Sequence, residues 1–132
     1  IKQVTDAMRK PGRAVFERFA EKFREINKKL GKEQYLVTFL ISSHPGCTMD
    51  DMIELAEYIR DKRMYTKQVQ DFTPTPMTAA TCMFHTGLDP FTGEEVYVAR
   101  GQREKRMQRA LLRYKDPENY KLVHVSLAKA RR

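Results

Sequence analysis

An α/β fold built on one parallel βαβ unit is what this sequence predicts, on three observations. The run Tyr35-Leu36-Val37-Thr38-Phe39-Leu40-Ile41 is almost continuously apolar and rich in β-branched and aromatic residues, as a strand buried on both faces requires. A helix-forming stretch follows it, and a second short strand signal stands at Val69-Gln70-Asp71-Phe72. Strand, helix and strand, with a helix before them, form the crossover unit of a parallel sheet.

The elements follow in chain order. Residues 3–9 have the pattern of a helix end, broken by Pro11-Gly12. A strong amphipathic helix is expected over 13–30, because Phe16, Phe19, Phe23, Ile26 and Leu30 recur at spacings of three and four and line one face. Gly31 suits its C-terminal stop, and Lys28 and Lys29 suit the negative end of its dipole. After the strand at 35–41, Thr48 and Asp51 stand in the spacing of a capping box, so a helix is expected over 49–62 with Met52, Leu55, Ala56 and Ile59 inward. The second strand, at 69–72, is followed by a change of character. Residues 73–99 read as loops, with a short helix near 79–84 and a turn or hairpin around 90–93 leading to Val96-Tyr97-Val98. A helix over 102–115 carries Met107, Ala110, Leu111 and Tyr114 on one side. Pro117 starts a last helix containing Leu122, Val123 and Leu127.

A chain of 132 residues is long enough for one domain with a modest core. It has no apolar run approaching the roughly 20 residues of a transmembrane helix, and its first residues do not read as a signal peptide. Two strands do not close a barrel and barely make a sheet. The doubly buried character of 35–41 and the first residue, Ile1 rather than Met, both suggest a piece of a longer chain. The unpaired sheet edges make that remainder, or a second copy in a dimer, the expected partner. Cys47 and Cys82 stand in no metal-finger spacing, and nothing supports a disulfide between them. Two free thiols in a cytoplasmic protein are expected.

The net charge of +8 is unevenly placed. Residues 100–132 hold 11 Lys and Arg against 3 Asp and Glu, while residues 1–99 balance at 14 of each. Such a tail suits contact with nucleic acid, a solvated helix face, or docking on an acidic part of a longer chain. Only Tyr114 and Tyr120 interleave with its charges, so base stacking has little support.

Two turns carry the chemistry. Ser42-Ser43-His44-Pro45-Gly46 ends the first strand, and Thr73-Pro74-Thr75-Pro76 follows the second. In parallel α/β folds this rim is where ligands bind. The pattern formed by Val69, Gln70, Asp71, Phe72, Pro74, Thr75, Pro76, Thr78, Thr81, Cys82, Met83, Thr86, Gly87, Asp89 and Pro90 resembles the C-terminal region of YgiQ-type radical S-adenosylmethionine (radical SAM) proteins. Ile41 to Thr48 with Asp50-Asp51 is similar to the turn after the fifth barrel strand of that superfamily, often I-x-G-x-P-G-E-T-x-E-D. The resemblance implies a partial radical SAM (β/α) barrel over 1–76 with a mainly helical extension over 77–132. It further implies that Ser42, Ser43 and His44 face the ribose or carboxylate of S-adenosylmethionine, and that Phe72, Thr73 and Pro74 pack near its adenine. A parent enzyme of this kind uses a [4Fe–4S] cluster to cleave the cofactor and generate a radical on its substrate.

The sequence departs from that pattern where the cluster is concerned. The C-x-x-x-C-x-x-C motif that binds it is missing, so its ligands would lie upstream and this chain alone would be inactive. Cys47 stands where the superfamily often has Glu, and Met77 where the related turn often has Gly. Two residues carry open alternatives. His44 either caps its own turn through a backbone hydrogen bond or faces a ligand. Asp71 either pairs with an Arg of the tail helix or meets a substrate. Cys82, beside Met83 and Phe84, is expected to be a buried apolar thiol, and His85 to be structural.

Overall fold

The computed structural model describes residues 2–130. In chain order the elements are α1 (Lys2–Ala7), α2 (Arg13–Leu30), β1 (Leu40–Ser42), α3 (Met49–Asp61), β2 (Val69–Asp71), α4 (Ala79–Thr86), α5 (Gln102–Leu112) and α6 (Tyr120–Lys129), with a 3-10 turn at Pro117–Asn119 before α6. The fold is α/β. β1 and β2 pair in parallel, Leu40 with Val69, Ile41 with Gln70 and Ser42 with Asp71. The ladder is extended at both ends by Leu40 N–H to Gln68 O (3.0 Å) and Phe72 N–H to Ser42 O (2.8 Å).

Local chemistry sets several of the helix ends. Gly31 closes α2 in the left-handed region at φ 60°, where a residue without Cβ is unstrained. At the start of α3, Thr48 Oγ1 accepts from Asp51 N–H (3.2 Å) and Asp51 Oδ2 accepts from Thr48 N–H (2.8 Å), a complete capping box. Thr78 caps α4 in the same way, accepting from Thr81 N–H (3.2 Å).

The core lies where α3, α5 and α6 meet the two strands. Cys47, Met52, Ile53, Ile59, Val69, Leu111 and Leu112 are buried together. Val123 and Leu127 of α6 pack on them, as do Leu55 and Ala56 of α3. α5 is the hub, packing against α3, α6, β1 and β2. The basic tail is therefore a structural layer of the fold. Arg109 reaches Asp71, Arg113 pairs with Asp116 at 2.6 Å, and the ammonium groups of Lys105 and Lys115 sit over the rings of Phe84 and Tyr65.

Some expectations differ from the structure. The strand predicted over 35–41 is paired only at Leu40–Ser42, and Tyr35 and Phe39 are 79% and 57% exposed. Among the described residues β1 has a neighbour on one edge only, so the apolar residues before it have nothing to pack against. The apolar face of α2 is likewise open, with Phe19, Ile26 and Leu30 all exposed. The turn or hairpin expected around 90–93 is present, closed by one antiparallel bridge, Leu88 with Glu95. No helix among the described residues is long and apolar enough to cross a membrane.

Candidate functional site

Parallel pairing brings the C-terminal ends of β1 and β2 to one rim, so the loops 42–48 and 72–78 are neighbours. A cleft of about 600 Å³ opens there. Its walls include His44 from the first loop, Asp71, Phe72, Thr73 and Thr75 from the second, Arg9 and Lys10 after α1, and Phe91 from the turn beyond α4.

The first loop is tightly held. Ser42 is buried, and its Oγ donates to Asp71 Oδ1 at 2.5 Å. The other oxygen of Asp71 accepts from Arg109 Nη1 of α5 at 3.4 Å. Of the two alternatives for Asp71, the ion pair with a tail arginine is present, and the carboxylate also lines the cleft. Ser43 is 1% exposed and sits in the left-handed region at φ 59°, a conformation that costs a residue with a Cβ roughly 1–2 kcal/mol. Its N–H donates to Gln108 Oε1 (3.0 Å), and its Oγ is buried without a hydrogen-bond partner. Gly46, at φ 85°, donates its N–H to Tyr97 O (2.8 Å).

His44 is 5% exposed, with Nδ1 2.8 Å from Pro45 O. A carbonyl can only accept, so Nδ1 carries the proton and Nε2 is the acceptor nitrogen. Burial lowers the pKa of this histidine. The Pro45 carbonyl partly opposes that shift, and the charge of Lys10 adds to it. The ring is thus a neutral imidazole near pH 7, and it stands edge-on to Phe72 with centroids 5.0 Å apart. Phe72 in turn contacts Phe84 at 5.7 Å, which continues to His85 at 5.3 Å. Of the two alternatives for His44, the backbone bond within its turn is present, and the ring also lines the cleft.

Of the residues singled out by sequence, His44, Phe72 and Thr73 line the cleft. Ser42 and Ser43 lie beneath the rim, and Pro74 is half-buried in the loop that follows β2. Met77, in the place where the related turn often has Gly, adopts φ 67° with its side chain wholly exposed. Sequence reasoning missed Arg9, Lys10, Phe91 and Gln108. The first three come from distant turns and leave no local trace. Gln108 left one: it is a polar residue beside Met107 and Ala110 on a buried helix side.

The cysteines do not form a metal centre. Cys47 is wholly buried, and burial, with the charge of Asp51, pushes its thiol pKa up to about 12. Cys82 is a half-buried free thiol, less enclosed than expected. Among the described residues no group of three or more His, Cys, Asp or Glu side chains could hold a metal ion. The donors here therefore do not fit an iron–sulfur cluster. Those lining the cleft do fit an adenosine-bearing ligand, with an aromatic face at Phe72, a neutral acceptor at His44 and cations at Arg9 and Lys10.

Known proteins resemble this chain closely in sequence. Residues 67–132 match a family described as Domain of unknown function (DUF3362). A UPF0313 protein of Methanosarcina acetivorans is 66% identical over 131 residues, one of Methanosarcina mazei 64% over 130, and one of Geobacter sulfurreducens 58% over 112. These alignments take in 99%, 98% and 85% of this chain but 18%, 21% and 18% of the relatives' lengths. The chain thus spans about a fifth of the length of the curated relatives it matches. No solved structure matches it.

Proposed function

The chain belongs to the DUF3362 family, and from that premise we propose that it is the C-terminal part of a radical SAM enzyme in which the ends of β1 and β2 hold S-adenosylmethionine. Residues 1–76 are the last part of the barrel and residues 77–132 the extension that follows it. The observation that carries this is the single cleft shared by the two strand-end loops, with the rings of His44 and Phe72 in contact in its wall.

Phe72 offers the adenine a ring face. His44 Nε2 accepts from a ribose hydroxyl, with Thr73 alongside, while Ser42, Ser43 and Pro74 shape the floor and flank. Arg9 and Lys10 balance the cofactor's carboxylate. When bound beside a reduced [4Fe–4S] cluster, S-adenosylmethionine supplies a 5′-deoxyadenosyl radical that removes hydrogen from the substrate. The cluster ligands lie upstream of these 132 residues, and the chain alone is inactive. Two supports come from packing and redox state. The apolar residues 35–39 and the open face of α2 are suited to further barrel elements, and two free thiols favour a reducing, cytoplasmic setting.

The test is anaerobic reconstitution of iron and sulfide on this chain and on a version extended upstream, read by absorbance, iron content and S-adenosylmethionine binding. A cluster and cofactor binding on the extended polypeptide only are expected. A stoichiometric cluster on the 132-residue chain, or none on the extended one, would overturn the proposal.

A further inference from the structure

The C-terminal segment does more than cover the sheet. Gln108 lies in the interior of α5 and is completely buried. A buried amide is costly unless both its ends are bonded. Here Oε1 accepts from Ser43 N–H (3.0 Å) and Nε2 donates to Cys47 O (3.1 Å). The two bonds bracket His44-Pro45-Gly46. Within that bracket the backbone is left-handed at Ser43 and Gly46, and the serine gains nothing locally from being so. Two further ties run from the same segment to the same rim, Tyr97 O to Gly46 N–H and Arg109 to Asp71.

We propose that Gln108 is a positioning residue: its amide holds loop 43–47 in the shape that presents His44 to the cleft, so the DUF3362 segment sets the geometry of a ligand loop that lies outside it. The claim that the ligand is S-adenosylmethionine rests on the function proposed above. The claim that Gln108 fixes the loop does not.

Three readouts test it. By amide hydrogen exchange, the wild-type Ser43 N–H should be at least about tenfold slower than the exposed Met77 N–H. Gln108→Met keeps the volume but makes neither bond. It should raise Ser43 exchange about tenfold, leave Leu112 protected, and shift the His44 ring resonances. In the polypeptide extended upstream it should weaken S-adenosylmethionine binding about tenfold. Ile59→Val, a core change in the last turn of α3 that touches neither Gln108 bond, should move none of the three. Gln108→Glu keeps the acceptor for Ser43 and should restore much of that protection. Should Gln108→Met fail to fold, the wild-type exchange and Gln108→Glu decide.

Fast wild-type exchange at Ser43, or unmoved His44 resonances in Gln108→Met, would overturn the proposal. So would unchanged cofactor affinity in a protein that binds S-adenosylmethionine. If the wild-type extended polypeptide does not bind S-adenosylmethionine, the proposed function falls. The positioning role then stands if Ser43 exchange rises and the His44 resonances shift, and falls if they do not.

Discussion

Burial holds the His44 imidazole neutral, and this ties folding to pH. Its pKa in the folded chain lies below the ordinary value of 6.5, so the unfolded chain takes up the proton more readily. Well above pH 6.5 both states are neutral and nothing is lost. As pH falls through 6.5 and below, proton binding favours the unfolded chain. Thermal melts at pH 7.5 and 5.5 should therefore show a lower midpoint in acid, and His44→Gln should show a smaller drop between the two. An equal drop in both proteins would assign the acid sensitivity elsewhere. At this scale the sequence marked the turn without its wiring. Ser-Ser-His-Pro-Gly after an apolar run announces a turn at a strand end. Nothing in it reveals that Ser42 spends its hydroxyl on Asp71, or that Ser43 takes a left-handed backbone. Those properties come from partners far along the chain.

The helices were the most legible elements, because their signals are local. The stretch 13–30 coincides with α2, and the Thr48–Asp51 box opens α3 as expected. Thr48→Ala removes an acceptor from Asp51 N–H and a donor to its carboxylate, at a cost of about 1 kcal/mol. Urea denaturation should show a lower midpoint with an unchanged slope, and an unchanged midpoint would mean that the cap contributes nothing. The strands were less legible because pairing depends on neighbours. An apolar run of seven residues, 35–41, specifies a strand wanting partners on both edges, yet the described residues offer three paired positions on one edge. The helix expected to reach 115 stops at Leu112, where Arg113 leaves helical geometry at φ −110° and its guanidinium pairs with Asp116.

Taken whole, the molecule closes α3, α5 and α6 around its core and leaves apolar residues exposed in two segments. These are Phe19, Ile26 and Leu30 of α2, and Tyr35, Val37 and Phe39 before β1. Exposed apolar surface binds apolar dyes. The 132-residue chain should bind 8-anilinonaphthalene-1-sulfonate with a clear rise in fluorescence, and the polypeptide extended upstream should bind less per mole. Equal or greater binding by the extended form would mean that the added residues do not cover these segments. The tie between Ser43 and Gln108 also imposes an order of events in the cell. The two residues are 65 apart in sequence, so at roughly 5–20 residues per second the ribosome makes Gln108 some 3–13 s after Ser43. Throughout that interval the nascent loop lacks the amide oxygen to which Ser43 N–H is bonded in the finished fold. Synthesis itself thus delays the closure of this tie until α5 has been made.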